Sequence, residues 1–483
     1  MLPDLPNISY LRDMKFRSSD TIAAPATVPG TGAISIVRIS GPDTFPVLDR
    51  LIRFKESNAS SSGGYRIKYG EIIDSSSVLD EVLVSLFRAP HSYTGEDMAE
   101  ICTHASGYIV SRLLELLLQS GVRSAEPGEF TRRAFMNGRM DLAQSEAVAD
   151  VIAAESEAAH RVAMNQMRGG FSSELMQMRS ELLEMTSLME LELDFSEEDV
   201  EFADRSRLRD LMAHLDGHLE RLIASFRLGN AIRNGVPVAI VGPVNAGKST
   251  LLNALLEDDR AIVSDIAGTT RDTIEETLNI DGVLFRFIDT AGLRETSESI
   301  EKSGIERSLR KLSEASVVLI VLDATSPADV LETELNQIVK KINPPAQQVL
   351  VLLNKSDKSD WNKNVTDINN YVSRIGLDAV VLEISAKDKI GIDALKRKLV
   401  SNWKVNNKSS DQTLVTNIRH LEALRNARTS LLRVREGLDH QRPSDLIAQD
   451  LRDAIESLGS ILGQSITPDE VLGNIFKNFC IGK

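Results

Sequence analysis

Gly242-Pro243-Val244-Asn245-Ala246-Gly247-Lys248-Ser249 fits the pattern GxxxxGKS and sits between the two elements that this pattern needs. Before it, Val236-Pro237-Val238-Ala239-Ile240-Val241 reads as a buried strand; after it, Thr250 to Leu256 reads as a helix. No other feature narrows the fold as far. Such a strand–loop–helix wraps phosphates with backbone N–H groups and adds the positive end of the helix dipole. In this loop Lys248 can reach β- and γ-phosphates, and the Ser249 hydroxyl can ligate Mg²⁺.

The surrounding pattern agrees. Residues 233–402 alternate strands and helices, with Leu284 to Ile288, Val317 to Leu322 and Val349 to Leu353 as further strands. Two of these strands are near-continuous apolar runs, which suits a mainly parallel sheet covered on both faces. Three more short motifs follow in order. Gly268-Thr269-Thr270-Arg271-Asp272 offers Thr270 to Mg²⁺ and a γ-phosphate. Asp289-Thr290-Ala291-Gly292 follows a strand, so Asp289 can hold Mg²⁺ through water and the Gly292 N–H can face the γ-phosphate. Asn354-Lys355-Ser356-Asp357 supplies at Asp357 a carboxylate for the ring N–H and exocyclic amine of guanine, which adenine cannot satisfy. Ser385-Ala386-Lys387 completes the base turn, with the Ala386 N–H aimed at the guanine carbonyl. Each of these is weak alone, but in this order they imply a GTP-hydrolysing domain. After Gly292 stands Leu293, which cannot orient a water as glutamine can, so the catalytic group must come from elsewhere; Glu301, in the charged stretch Glu295 to Glu306, is a candidate.

With 483 residues, the chain has room for two to four domains. Residues 1–19 form an extension. Residues 20–138 mix strand-like runs (Ala33 to Ile39, Val82 to Phe87) with loop composition at Ser57 to Gly64 and a helical stretch from Ile109 to Leu118, as in a compact α+β domain. Residues 139–232 and 403–483 read as long helices, with Leu182, Leu183, Met185, Leu188, Met189 and Leu193 at helical spacing. Helices on either side of the α/β segment must bury their apolar faces, most economically against each other. The expected fold is therefore multidomain: an N-terminal α+β domain, a helical domain, and an inserted Ras-like α/β P-loop domain.

Charge and cysteine usage set limits on function. The net charge is -15, and the acid excess is concentrated in 139–232, where 9 basic residues face 19 acidic ones. No segment has the basic excess of a self-sufficient nucleic-acid binder. The two cysteines, Cys102 and Cys480, build neither a disulfide framework nor a cysteine zinc site, which fits a reducing, cytoplasmic setting. No apolar run reaches the eighteen or so residues of a membrane span.

Together, Asn245 in the phosphate loop, Asp265-Ile266-Ala267-Gly268-Thr269-Thr270-Arg271-Asp272, and Asp289-Thr290-Ala291-Gly292-Leu293-Arg294-Glu295 resemble the TrmE–Era–EngA group of GTPases. Pro127 to Leu142 (PGEFTRRAFMNGRMDL) and the terminal Phe479-Cys480-Ile481-Gly482-Lys483 resemble the MnmE (TrmE) family within it. An Era-like or EngA-like ribosome-assembly GTPase is the alternative, but the chain shows neither a GXXG loop after its α/β segment nor a second phosphate loop.

The MnmE resemblance implies a homodimer whose N-terminal domain binds 5-formyltetrahydrofolate or a related folate, with contacts at Arg38, Glu100, Arg139 and Lys483. It implies an FAD-dependent MnmG-like partner in a heterotetramer, and a (carboxymethyl)aminomethyl group placed on carbon 5 of the wobble uridine of tRNA, the tRNA being held largely by the partner. It also implies K⁺ held by Asn245, Ser264, Ile266 and Thr269, with Glu301 orienting the attacking water. GTP contacts then run through Asn245, Ala246, Gly247, Lys248, Ser249, Thr250, Ser264, Asp265, Ile266, Ala267, Gly268, Thr269, Thr270, Asp289, Thr290, Ala291 and Gly292, and on through Asn354, Lys355, Asp357, Ser385, Ala386 and Lys387.

Overall fold

The computed structural model describes residues 20–194, 205–257, 276–288, 312–313, 315–343, 347–358, 364–403, 413–440, 442–464 and 482. They form two compact units, one reaching to Ala149 and resuming at Leu458, the other spanning Asp150–Ser457.

The first unit contains β1 (Ile22–Pro25), β2 (Gly32–Ser40), α1 (Thr44–Leu51), β3 (Ile52–Phe54), β4 (Arg66–Asp74), β5 (Ser77–Phe87), β6 (Met98–Ala105), α2 (Gly107–Gln119), β7 (Arg123–Ser124) and α3 (Glu129–Met136). The strands make one sheet in the order β3-β4-β5-β6-β2-β1-β7, antiparallel except for the β1–β7 pair. β5 shows what drives it. Along its length Asp80, Val82, Val84 and Leu86 are buried at every second position, the period of a half-covered strand. On that face α1 contributes Phe45, Val47 and Leu48, and α2 contributes Leu113, Leu116 and Leu117, to a core with Val37, Ile39, Ile72 and Ile101. The opposite face carries Ile36, Cys102, Leu83 and Tyr69, successive register partners across β2, β6, β5 and β4. There Leu83 is 50% exposed, and nearby Ile34 and Ile67 are 62% and 71% exposed.

The chain leaves this unit in α4 (Leu142–Ile152) and continues through α5 (Glu157–Met167), α6 (Gly170–Asp194) and α7 (Arg205–Asn234). The α5 start is capped by Ser156, whose hydroxyl accepts the Ala159 N–H at 3.1 Å. Of the spaced apolar positions on α6, Leu182, Met185 and Met189 are buried, whereas Leu183 is exposed.

Only Gly235, at φ 80°, separates α7 from the second sheet. That sheet comprises β8 (Val236–Val241), β9 (Glu276–Ile280), β10 (Val283–Ile288), β11 (Val317–Asp323), β12 (Gln348–Asn354) and β13 (Ala379–Glu383), in the order β13-β12-β11-β8-β10-β9. It is parallel except for the β9–β10 hairpin, which turns at Asp281-Gly282 with φ 49° and 82°, as a two-residue type I′ loop requires. One core layer holds Val238, Phe285, Leu319 and Leu350 and the other Val318, Ile320, Leu322 and Val351, so both faces are covered. Among the described residues the helices on the two faces are α8 (Lys248–Glu257), α9 (Ala328–Val339), α10 (Asn364–Arg374) and α11 (Ile392–Val400).

After this sheet the chain returns along α7. Gly229 on α7 admits the returning backbone so closely that an added Cβ would lie 2.3 Å from the Val415 carbonyl oxygen. α12 (Ile418–Asp439) then packs along α7, joined by Arg428 Nε to Asp216 Oδ1 at 2.6 Å and Arg209 Nη2 to the Leu438 carbonyl at 3.1 Å, and α13 (Ser444–Leu462) follows. Helices before and after the α/β segment thus bury their faces together. Among the described residues no helix is long and apolar enough to cross a membrane.

Candidate functional site

β8 delivers the chain to the phosphate loop at the carboxyl edge of the second sheet. Two close approaches shape this loop. An added Cβ on Gly242 would lie 2.1 Å from the Val321 carbonyl oxygen, and one on Gly247, at φ 98°, would lie 2.2 Å from Asn354 Nδ2. Asn245 takes φ 63° at the exposed crest of the loop, a left-handed conformation that asparagine tolerates better than most residues. Lys248 Nζ donates to the carbonyls of Gly242 (3.1 Å) and Pro243 (2.7 Å). Burial holds its ammonium below the usual lysine range. A phosphate at this loop would restore the charged form's solvation through direct pairing. Ser249 and Thr250 open α8 behind the lysine.

The base-side motifs come from the ends of β12 and β13. Asn354 is buried and laces three segments together. Its Nδ2 donates to the Ala246 carbonyl at 2.8 Å, and its Oδ1 accepts the Ala386 N–H at 2.9 Å. Asn354 is therefore a staple between the phosphate loop and the Ser385-Ala386-Lys387 turn. The Ala386 N–H, expected to meet a guanine carbonyl, is donated to that staple here. Asp357 presents an exposed carboxylate whose Oδ1 accepts the Ser385 hydroxyl at 2.8 Å, and this bond holds its pKa below the ordinary carboxylate value. Ser385 is itself fully buried and also accepts the Asp388 N–H at 3.2 Å, so the aspartate is aimed by a fixed hydroxyl. Lys355, at φ 71°, pairs with Asp323. Ser264, Asp265, Ile266, Ala267, Gly268, Thr269, Thr270, Asp289, Thr290, Ala291, Gly292 and Glu301 lie outside the described residues.

Gly247→Ala is expected to reduce GTP affinity by at least about tenfold, or 1.4 kcal/mol, because the methyl group must displace the Asn354 amide while the backbone stays left-handed. Equilibrium titration with a fluorescent guanine nucleotide would check it. Unchanged affinity would show that this staple does not shape the loop.

A second cluster lies on the open face of the first sheet. Arg38 on β2 and Glu100 on β6 are register partners, and Arg38 Nε and Nη2 both donate to Glu100 Oε1, at 3.0 and 2.7 Å. The third contact comes from the far end of the chain: Arg38 Nη1 donates to the Gly482 carbonyl at 3.0 Å. The guanidinium also lies 5.3 Å from the ring centre of Tyr93 and 5.6 Å from that of Phe130. Gly482, at φ 95°, fits against β1 so tightly that a Cβ would meet the Pro25 carbonyl oxygen at 2.1 Å. Arg139 is exposed, its aliphatic stem beside Gly95, where an added Cβ would lie 3.2 Å from Arg139 Cγ. Lys483 and Cys480 lie outside the described residues.

Sequence reasoning passed over Tyr93 and Phe130. The signal it could have used is Phe130 within the Pro127 to Leu142 run. It also passed over the ionic lacing behind them, where Arg133 bonds Asp20, Glu96 and Glu129, and Arg123 bonds Asp20 and Glu129. Burial works against these charges, yet the arginine bonds outweigh it and hold Asp20 and Glu129 below the ordinary carboxylate range.

A phosphate loop, an Asn-Lys-x-Asp turn and a Ser-Ala-Lys turn, brought together at the carboxyl edge of one mainly parallel sheet, define a P-loop domain of the guanine-nucleotide class. The model of the MnmE helical domain matches residues 142–480, and that of the GTP-binding protein TrmE N-terminus matches residues 21–139. The tRNA modification GTPase MnmE of Parabacteroides distasonis is 50% identical over 467 residues, covering 96% of this chain and 100% of that one. Its namesakes from Bacteroides fragilis and Cytophaga hutchinsonii are 49% and 48% identical over 96% of this chain, covering 100% and 98% of theirs. The chain belongs to the MnmE (TrmE) family of tRNA modification GTPases. It is a GTPase acting in tRNA modification, and the class implies Mg²⁺ alongside the nucleotide.

Proposed function

We propose that this chain is a K⁺-dependent GTPase that works, as a homodimer and with an FAD-dependent MnmG-like partner, to place a (carboxymethyl)aminomethyl group on carbon 5 of the wobble uridine of tRNA. The one-carbon unit comes from 5-formyltetrahydrofolate or a related folate. The observation that carries this reading is the cluster of Arg38, Glu100 and the Gly482 carbonyl, which joins strand residues and chain terminus on the open face of the first unit. Its chemistry suits a folate. Guanidinium N–H groups match carboxylates and carbonyls, and a carboxylate matches amino-pterin N–H groups. Both bonds from Arg38 to Glu100 fall on Oε1, so Oε2 is the acceptor a pterin would use. Arg139 and Lys483 would complete the contacts.

At the second unit, Ser249 and Thr270 would hold Mg²⁺ directly and Asp289 through water, while Lys248 pairs with the phosphates. The Asn245 amide oxygen, with Ser264, Ile266 and Thr269, would hold K⁺, which would supply positive charge to offset that developing on the phosphates. The exposed crest position of Asn245 suits such a hard oxygen donor. Glu301 would orient the attacking water. The apolar band Ile36–Cys102–Leu83–Tyr69, flanked by exposed Ile34 and Ile67, is the surface we assign to the second copy of the chain. The setting is cytoplasmic.

The test has two arms. Mass spectrometry of tRNA from cells lacking this gene should show unmodified wobble uridine; normal tRNA with an rRNA-processing defect would instead support an Era-like role. Hydrolysis by the purified protein should be fast in K⁺ and much slower in Na⁺, with Asn245→Ala losing that dependence and Glu301→Ala losing hydrolysis while keeping GTP. Equal rates in the two salts would discard the cation mechanism.

A further inference from the structure

The carboxylate of Asp323, at the end of β11, belongs to none of the nucleotide motifs, yet its geometry ties it to one of them. Its Oδ2 pairs with Lys355 Nζ at 2.5 Å. Its Oδ1 accepts both the backbone N–H (3.1 Å) and the hydroxyl (2.7 Å) of Thr325. The carboxylate is thus held on both oxygens and cannot swing away from the lysine. The backbone beneath it is fixed as well: Asp323 and Asn354 are register partners, and the Ala324 N–H donates to the Asn354 carbonyl at 2.9 Å. Lys355 in turn leaves β12 in a left-handed conformation, φ 71°, which a lysine adopts only when its surroundings compel it. Burial would raise the Asp323 pKa, but the bonds from Lys355 and Thr325 prevail and hold it below the ordinary value. Glu334, from α9, has a buried Oε2 without a hydrogen-bond partner. Burial and the Asp323 charge push the Glu334 carboxyl upward.

We propose that Asp323 is a positioning residue for nucleotide binding: it holds the Lys355 stem between the phosphate loop and Asp357, where the stem packs against the face of the bound purine. This rests on the assignment of Lys355 to the nucleotide site. It separates two jobs within one turn. Asp357 selects the base by hydrogen bonds at its edge, and the Asp323–Lys355 pair supplies affinity through the face of the ring without regard to its substituents.

The test is a double-mutant cycle on the full-length protein with Asp323→Asn, Lys355→Gln and both together. Asp323→Asn keeps the size of the side chain and an acceptor for Thr325 while removing the charge. It should raise KM for GTP about five- to tenfold with kcat at saturation unchanged, and leave the preference for GTP over XTP where it was. Lys355→Gln should weaken GTP to a similar degree, and the double variant should be no weaker than the worse single one. Additive losses, or a fall in kcat at constant KM, would overturn the positioning role. The thermal midpoint measured without nucleotide separates this from a folding effect, since a purely structural Asp323 would lower it in proportion to the loss of affinity. If Lys355→Gln alone leaves KM unchanged, the placement of Lys355 at the base has failed and the proposal falls with it. If Lys355→Gln weakens GTP but Asp323→Asn does not, the site stands and Asp323 has no part in it.

Discussion

Arg38→Ala is expected to abolish tRNA modification while GTP hydrolysis continues near its wild-type rate. The guanidinium ties three parts of the first unit together: Glu100 across the sheet, the Gly482 carbonyl from the chain terminus, and the rings of Tyr93 and Phe130. Alanine leaves the half-buried Glu100 carboxylate without its two donors, at a cost of about 1–3 kcal/mol, and removes the donor that holds the terminus. Folate should then lose both the guanidinium and a fixed carboxylate. Arg38→Lys keeps the charge but not the fork, so it should recover only part of the affinity. Truncation after Phe479 removes the Gly482 carbonyl and should likewise abolish folate binding. Calorimetric titration with 5-formyltetrahydrofolate, beside GTP hydrolysis rates on the same preparations, checks all three. Undiminished folate affinity in Arg38→Ala would remove this cluster from the site.

Which parts of this molecule the sequence makes legible follows from where each signal comes from. The strands β8, β11 and β12 contribute to the core layers on both faces, so burial forces apolar runs that can be read directly. The phosphate loop is legible because its glycines answer to local geometry: the Gly242 and Gly247 positions have backbone or a buried amide where a Cβ would stand. β6 is hidden for the opposite reason. Met98 to Ala105 keeps one apolar face, but its other face holds Glu100, Cys102 and His104, and the resulting pattern does not declare a strand. The bond from Arg38 to Gly482 spans 444 positions, and no local pattern can signal a contact closed by tertiary folding. The same holds for Asn354. Its motif predicts a place beside the base, but its role as a staple depends on Ala246 and Ala386 arriving from elsewhere in the chain.

Asp357→Asn should move the base preference from guanine toward xanthine. On the proposed reading the wild-type carboxylate would accept from both the ring N–H and the exocyclic amine of guanine, and the amide that replaces it has one acceptor and one donor. The donor then faces the guanine amine, whereas xanthine offers a carbonyl at that place. Each lost charge-assisted bond costs about 1.5–3 kcal/mol, so GTP affinity should fall about a hundredfold or more. The turn itself should persist, because the bond that aims Asp357 comes from the buried Ser385 hydroxyl, and an asparagine oxygen can accept it. That makes Ser385→Ala an informative companion: it leaves the carboxylate in place but removes its anchor, so it should weaken GTP without converting the preference to xanthine. Competition of GTP and XTP for a fluorescent nucleotide on wild type and both variants measures the switch. A preference unchanged in Asp357→Asn would mean that this carboxylate does not read the base, and the guanine site would have to be sought elsewhere on the edge of the second sheet.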